Sequence, residues 1–149
     1  MYELLRRPDQ WRWLGEHPAA VTTAVEEMLR WVTPIKNMNR TLVRDAELRG
    51  RELHAGEKLL LLYPAANRDP AVFRDPETFD IRRTPNEHLA FGFGAHFCLG
   101  ASLARLELSI FFEEASKRLP ALTLATDEPP PRRPSNFISG IESMPVRIG

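Results

Sequence analysis

The only cysteine of the chain, Cys98, stands inside the stretch AFGFGAHFCLGASLARLEL, residues 90–108. Three glycines, Gly92, Gly94 and Gly100, surround it and permit the positive φ angles that let a backbone come close to a flat surface. The residues after Cys98 have helical spacing, so we expect the sulfur at a helix N-terminus, where free amides and the helix dipole stabilise a thiolate. The imidazole of His96, two residues away, adds a hydrogen-bond donor.

Three chemistries are open to this sulfur. Cys98 is a free thiol near a turn, a nucleophile with His96 as its base, or a single axial ligand to haem iron. A zinc site is disfavoured, because structural zinc takes about four ligands and the chain has one cysteine. The single cysteine also excludes an internal disulfide.

Two long helices are predicted to position the cysteine loop. Apolar residues at helical spacing predict a helix over 18–32, ended by Pro34, and a second over 99–119, ended by Pro120. Between them, residues 39–63 read as strands, with a buried strand over 59–63, and residues 64–85 read as a proline-rich irregular segment. The carboxy-terminal residues predict a hairpin that turns near Ser139 and Gly140.

Composition excludes several classes of protein. Lys plus Arg and Asp plus Glu both total 20, so the net charge of zero gives no reason to expect nucleic acid as the partner. The longest apolar run, LLLLYPAA, is too short to span a bilayer, so no membrane anchor is expected. The first ten residues lack the apolar core of a secretory signal, and we expect a cytoplasmic protein.

The cysteine loop resembles the haem-binding signature of the cytochrome P450 family, F-G-x-G-x-H-x-C-x-G. The six specified positions are filled by Phe91, Gly92, Gly94, His96, Cys98 and Gly100. The resemblance implies that Cys98 is the proximal thiolate ligand of the iron in haem b. It also implies that amides after Cys98 donate to the sulfur and that Phe91 and Gly92 belong to the cofactor site.

Two further sets of residues carry the same resemblance. Glu27 and Arg30 are similar to the family's E-x-x-R on the helix called K, and Arg83 to the arginine of its D-x-x-R. The resemblance implies that these three form a structural charge network that pins the irregular segment onto the core. Arg40 and His96 are implied as partners of the haem propionates. His88 is expected to be a loop hydrogen-bonder, and His17 and His54 surface residues.

The resemblance extends over essentially the whole chain and implies a mixed α and β, helix-rich fold. Its parts are a K-type helix, a small β-sheet, a meander, the cysteine-ligand loop, an L-type helix and a terminal hairpin. They correspond to the carboxy-terminal portion of the family's fold, a single partial domain over 1–149. The family's oxygen-activating helix and amino-terminal part are expected to be absent from this sequence, leaving apolar faces of both long helices uncovered and haem binding weak.

The implied activity is O2-dependent hydroxylation of a hydrophobic substrate. The segments AVEEMLRWVTPIKNMNR and RPSNFISGIESMPV resemble bacterial members that hydroxylate steroid side chains and other lipids, which implies Ile35, Met38 and Ile138 as substrate contacts. Electrons are expected from NAD(P)H through a ferredoxin-type or flavin-type partner that docks near three cations of the second long helix, Arg105, Lys117 and Arg118. The alternatives are an inactive fragment or haem-binding remnant, and a cysteine-nucleophile enzyme.

Overall fold

The computed structural model describes residues 1–149 and contains five α-helices and six short strands. The helices are α1 Tyr2–Leu5, α2 Pro8–Glu16, α3 Val21–Val32, α4 Tyr63–Ala66 and α5 Ala101–Arg118. The strands are β1 Asn37–Thr41, β2 Ala46–Leu48, β3 Arg51–Leu53, β4 Lys58–Leu62, β5 Thr123–Leu124 and β6 Val146–Arg147. The predicted mixed, helix-rich architecture is confirmed. No helix is long and apolar enough to cross a membrane.

The predicted first long helix, α3, begins three residues later than expected. Pro18–Ala20 forms a 3-10 turn, and the α-helix starts at Val21. It ends at Thr33, whose φ of 44° is left-handed and whose hydroxyl donates to the carbonyl oxygen of Arg30 over 2.7 Å. Thr33 precedes Pro34, so the expected end of the helix is confirmed.

The apolar face of α3 is buried except at its last residue, Val32, which is 48% exposed, so the expectation that this face is uncovered was wrong for most of the helix. Val21, Ala24 and Val25 are at most 6% exposed, and they belong to the main core cluster. The cover comes from α2, through Trp11 and Leu14, and from other segments of the chain. The helices α1 and α2 were not predicted, because four and nine residues are too short for a clear apolar period.

The second long helix, α5, begins two residues later than predicted and turns only a narrow face inward. Phe112, Ala115 and Ser116 are buried. The stripe that the sequence identified is exposed instead, with Leu103, Leu106 and Ile110 each more than half accessible. The expected uncovered apolar face is therefore confirmed for α5.

Replacing Leu103 and Ile110 together by glutamine is expected to leave the free energy of unfolding within about 0.5 kcal/mol, since exposed side chains contribute little. The same double variant should reduce self-association, because it interrupts a continuous apolar surface. Sedimentation velocity and urea unfolding measure the two quantities. A stability loss near 3 kcal/mol, typical of a buried leucine, would show that this stripe is packed inside the chain.

Three antiparallel pairs of strands flank the helices. Strand β1 pairs with β4 in the register Arg40 opposite Leu59, while β2 pairs with β3 and β5 with β6. The prediction of a buried strand over 59–63 was wrong, because β4 spans 58–62 and alternates in burial, with Leu60 and Leu62 54% and 51% exposed. An antiparallel sheet commonly packs one face against the rest of the protein and leaves the other face in solvent.

The carboxy-terminal segment does not form the predicted hairpin around Ser139 and Gly140. Residues 131–133 pair with 140–142 through a bridge between Arg132 and Ile141, so the turn spans 134–139. The last strand, β6, returns to β5 rather than to residues 136–138. Residues 137–139 instead bond to 34–36, which joins the tail to the end of α3.

Candidate active site

The cysteine loop is closed by its own backbone hydrogen bonds. The amide of Cys98 donates to the carbonyl oxygen of Phe91 over 2.9 Å, and the amide of Phe97 donates to Gly94 over 3.0 Å. Gly94–His96 forms a 3-10 turn between these bonds. The thiol of Cys98 is exposed, two residues before Gly100, the N-cap of α5. The loop therefore presents the sulfur at the mouth of a helix, as the sequence predicts.

Positive φ angles occur at two of the three loop glycines. Gly92 has φ +70° and Gly94 φ +67°, whereas Gly100 has φ −85° and needs no special freedom. A Cβ at Gly92 would lie 3.5 Å from the hydroxyl oxygen of Tyr63, an ordinary van der Waals contact, so φ and not space favours glycine there. Tyr63 is buried, and sequence reasoning missed its contact with the loop.

Unpaired amides and exposed apolar side chains flank Cys98 in the sequence of the loop. The amides of Leu99 and Gly100 donate to no backbone or side-chain acceptor in the chain, and the sulfur itself receives no hydrogen bond. The implied hydrogen bonds from these amides to the sulfur are therefore not formed in this structure. Phe93, Phe97 and Leu99 are all at least half exposed. A cysteine beside free amides and exposed apolar side chains suits an apolar, planar group bound through one sulfur.

His96 does not act on Cys98 in this structure. It is exposed, and its ring hydrogen-bonds to neither the sulfur nor an acidic side chain. A cysteine nucleophile needs a base within hydrogen-bond reach and a third group to orient that base. The geometry supplies neither, so it does not support the nucleophile alternative.

The residues of the implied charge network lie in direct contact. Arg30 donates to Glu27 twice, from Nε to Oε2 over 2.7 Å and from Nη2 to Oε1 over 2.9 Å. Arg83 donates from Nε to Oε2 of Glu27 over 3.1 Å. The side chains of Glu27 and Arg30 are fully buried, and that of Arg83 is 10% exposed.

The two arginines also bind carbonyl oxygens of the irregular segment. Arg30 donates to the carbonyls of Asn67, Pro76 and Thr78 at 2.8 to 3.1 Å. Arg83 donates to the carbonyls of Arg74, Asp75 and Thr78. Backbone carbonyls that no strand or helix satisfies are thereby paired with buried cations.

Sequence reasoning missed Asn67, which completes this arrangement. Its side chain is fully buried, donates to the hydroxyl of Thr33 over 2.8 Å and accepts from the amide of Leu89 over 2.7 Å. It thus ties the end of α3 to the segment that leads into the cysteine loop. A single asparagine in a proline-rich stretch carries no spacing signal that could have revealed this role.

A second ionic cluster lies beside the first. Glu26 accepts two hydrogen bonds from Arg105, from Nε at 2.7 Å and from Nη2 at 2.9 Å, and contacts Nε2 of His88 at 3.1 Å. Burial alone would raise the pKa of Glu26, but the hydrogen bonds from His88 and Arg105 outweigh it and lower that pKa to about 2. His88 is a loop hydrogen-bonder, as predicted; the importance of Glu26 was missed.

The difference in unfolding free energy between the wild type and Glu26→Gln is expected to shrink as the pH falls from about 5 to 2. The folded-state pKa of Glu26 lies below its ordinary value of 4.5, so its contribution is present above pH 4.5 and lost towards pH 2. At pH 7 we expect the unfolding free energies of the two proteins to differ by about 1 to 2 kcal/mol, a value that already includes the reduction by solvent screening. Urea unfolding against pH measures this, with Glu128→Gln, an exposed carboxylate without an ion pair, as the control. A pH-independent difference would contradict the assignment.

The remaining predicted residues lie on and beside β1. Arg40 is half-buried, donates to the carbonyl of Asn39, and has no acidic partner. Ile35 pairs with Ile138 in an isolated β-bridge. Met38 lies opposite Leu61 in the β1–β4 pair and does not take part in that bridge. The structure thus brings two of the three predicted substrate contacts together.

The two remaining histidines are surface residues, as predicted. His17 is exposed and stacks on Trp13 with ring centroids 4.3 Å apart. His54 is exposed and lies 3.8 Å from a carboxylate oxygen of Asp45. Neither is near the cysteine loop in the chain, and neither has a partner that suggests chemistry.

Comparisons with known proteins identify the family. The family model for cytochrome P450 matches residues 16–144. The chain is 57% identical to a steroid C26-monooxygenase of Mycobacterium tuberculosis over 97% of its own length and 36% of that protein, and 50% identical to a methyl-branched lipid omega-hydroxylase of Mycobacterium bovis over 96% of its length and 33% of that protein. The chain therefore belongs to the cytochrome P450 family.

Solved structures agree with this assignment. P450BioI, in a complex with hexadec-9Z-enoic acid ligated acyl carrier protein, superposes with a TM-score of 0.94 at 42% identity, over 98% of this chain and 38% of that one. A Bacillus megaterium protein in complex with corticosterone gives 0.94 at 35% identity, over 99% and 40%. The chain spans less than two fifths of the length of the curated relatives described here. The predicted resemblance to the steroid and lipid hydroxylase branch is confirmed.

Proposed function

We propose that residues 1–149 form the haem-thiolate portion of a monooxygenase. The parent reaction inserts one atom of O2 into a C–H bond of a hydrophobic substrate and reduces the other atom to water with two electrons and two protons. The observation that carries the proposal is the exposed thiol of Cys98 on its closed loop, beside two unpaired amides and two glycines with positive φ.

Cys98 is the proposed iron ligand, and the chain's own groups set its character. The unpaired amides of Leu99 and Gly100 follow Cys98 at the start of α5 and would stabilise negative charge on the sulfur. Haem, the cofactor of this family, would supply the binding and activation of O2. Phe93, Phe97 and Leu99 would exclude water from the sulfur by packing against an apolar macrocycle.

Arg40 and His96 are the proposed partners of the haem propionates. Both lack an acidic partner, which leaves their donors available to a carboxylate. Replacing Arg40 by glutamine should weaken the binding of haem to the chain by about tenfold, the value of one charged hydrogen bond.

The dimethyl ester of haem provides the control for that prediction. Its propionates carry no charge, so Arg40→Gln should change its affinity by less than about twofold. Absorbance titrations of both ligands into wild type, Arg40→Gln and His96→Gln give the dissociation constants. Each variant is then compared with the wild type for each ligand, which makes four ratios. Equal losses for haem and for its ester would contradict a propionate contact.

The substrate is proposed to be a steroid side chain or another lipid. The support is the identity with proteins named for these substrates and the exposed apolar side chains on one edge of the chain. Met38 and Ile138 are 38% and 43% exposed, and the Ile35–Ile138 bridge holds the two segments together. These side chains offer apolar contact and no charge, which suits an aliphatic chain.

The electron donor is proposed to be a ferredoxin-type or flavin-type protein that receives electrons from NAD(P)H. Its proposed docking surface includes Arg105, Lys117 and Arg118 of α5. Each of these cations has an acidic neighbour, at 2.6 to 2.7 Å. Lys117 and Arg118 are the more exposed of the three, so the proposal places the contact at the carboxy-terminal end of the helix.

Oxygen-18 labelling tests the function as a whole. The protein that carries this chain is supplied with ferredoxin, ferredoxin reductase, NADPH and ¹⁸O2 in the presence of a steroid or a methyl-branched fatty acid. A product with one oxygen-18 atom, absent from Cys98→Ala, supports the proposal, and a hydroxylated product without oxygen-18, whose oxygen came from water, contradicts it. Haem binding without any labelled product would favour the second candidate, a haem-binding remnant, which the open exposure of Cys98 also suits.

A further inference from the structure

Behind the cysteine loop, one carboxylate joins three segments of the chain. Glu26 of α3 binds Arg105 of α5 through two hydrogen bonds of 2.7 and 2.9 Å and contacts His88, in the segment before the loop, at 3.1 Å. The side chain of His88 is 2% exposed, and those of Glu26 and Arg105 are about one third exposed. The neighbouring Glu27 belongs to the buried charge network described above. Two adjacent carboxylates therefore bind two different parts of the irregular chain between α4 and α5.

Both partners of Glu26 lie against Phe91. The guanidinium carbon of Arg105 is 4.7 Å from the centroid of the Phe91 ring, within the range of a cation–π contact. The His88 ring lies 6.1 Å from it at an angle of 50°. The carbonyl oxygen of Phe91 accepts the hydrogen bond of the Cys98 amide. One hydrogen bond therefore links the position of Phe91 to that of Cys98.

The hydrogen bonds of His88 fix the orientation of its ring. Nδ1 accepts from the amide of Ala90 over 3.2 Å, so the proton of the neutral ring is on Nε2, which donates to Glu26. The ring therefore connects the carboxylate to the backbone of the residue before Phe91. Glu26 thus reaches Phe91 by two routes, one through a cation on its ring and one through its backbone.

We propose that Glu26 is a positioning residue for the cysteine loop, acting through His88 and Arg105 on Phe91. The cluster orients the loop before any ligand binds, so that the Cys98 sulfur has one position relative to the apolar rim. The consequence at the iron rests on the proposed function, whereas the positioning itself is a property of the chain without haem.

Amide hydrogen exchange at Cys98, followed by NMR on the chain without haem, tests this proposal. In Glu26→Gln, the Cys98 amide should exchange about tenfold faster, since a charged hydrogen bond of about 1.4 kcal/mol shifts a local opening equilibrium by that factor. Arg105→Gln, which changes a more exposed side chain, should accelerate the same amide. Amides in the buried part of α3 should lose only the protection that the drop in unfolding free energy removes, and their exchange should keep the steep urea dependence of global unfolding.

Glu113→Gln is the matched control, because it breaks a carboxylate–cation pair on α5 that does not contact Phe91. It should change exchange at Cys98 by less than about twofold. The same small change in Glu26→Gln would overturn the proposal. A Cys98 amide that exchanges with the same protection and the same urea dependence as the core of α3 would also overturn it, because Glu26 would then act on global stability alone.

The double variant Glu26→Gln, Arg105→Gln shows whether the two residues act as one unit. If they do, exchange at Cys98 should be no faster in the double variant than in the faster single variant. Effects that multiply would contradict a common route through Phe91. None of these readouts depends on catalysis or on haem, so their failure is distinguishable from a failure of the proposed function.

Discussion

Glu27→Gln is expected to lower the free energy of unfolding by about 3 to 5 kcal/mol, enough to unfold much of the population of a marginal domain. The carboxylate is fully buried and accepts hydrogen bonds from Arg30, Arg83, Asn86 and the amide of Asp80. A neutral amide cannot balance two buried guanidinium groups, and its NH2 would face their donors. Circular dichroism during urea unfolding measures the loss.

Glu114→Gln is the control, since Glu114 pairs with Arg118 four residues away on the surface of α5. Its removal should cost less than about 0.5 kcal/mol. A loss below about 1 kcal/mol for Glu27→Gln would contradict the view that this network holds the irregular segment. The Arg30→Leu variant should behave like Glu27→Gln, because it removes two hydrogen bonds from the buried carboxylate and leaves the carbonyls of Asn67 and Pro76 unpaired.

The charge network contributes this much to the free energy of unfolding because the apolar core is small. Only 23 of 149 residues are buried, and four of the five buried polar ones belong to the connected set of Glu27, Arg30, Thr33 and Asn67. The irregular segment between α4 and the cysteine loop has little regular structure to satisfy its backbone. Buried arginines replace that structure by binding carbonyl oxygens directly.

The sequence predicts the two long helices well because their signals are local. The spacing of Val21, Val25 and Leu29 identifies α3, and prolines mark where both helices stop. Which apolar face is covered is not local information: the stripe of α3 is buried by segments far away in the chain, while that of α5 is exposed. Periodicity shows that a face exists and leaves its partner undefined.

The site is predicted in part, and the reason lies in the spacing of its residues. The motif around Cys98 is contiguous, so its loop and the helix that follows could be expected from the sequence. The Glu26–His88–Arg105 cluster joins residues 62 and 79 positions apart. A pair of adjacent glutamates cannot show which of them faces which cation. The turn at 134–139 was misplaced because the tail bonds to residues 34–36.

Cys98→Ala is expected to abolish the red-shifted Soret band of the reduced, carbon monoxide-bound protein. The sulfur is the only thiol in the chain, so no other side chain can supply a thiolate to iron. The variant should fold normally, because Cys98 is exposed and receives no hydrogen bond at its side chain. Equal urea midpoints for the two proteins establish that a spectral difference reports ligation and not folding.

The carbon monoxide difference spectrum of residues 1–149, loaded with haem and reduced with dithionite, tests the central claim most directly. We predict a strongly red-shifted Soret band in the wild type and its complete loss in Cys98→Ala. An unshifted band of the same shape in both proteins, at equal haem content, would contradict thiolate ligation by Cys98.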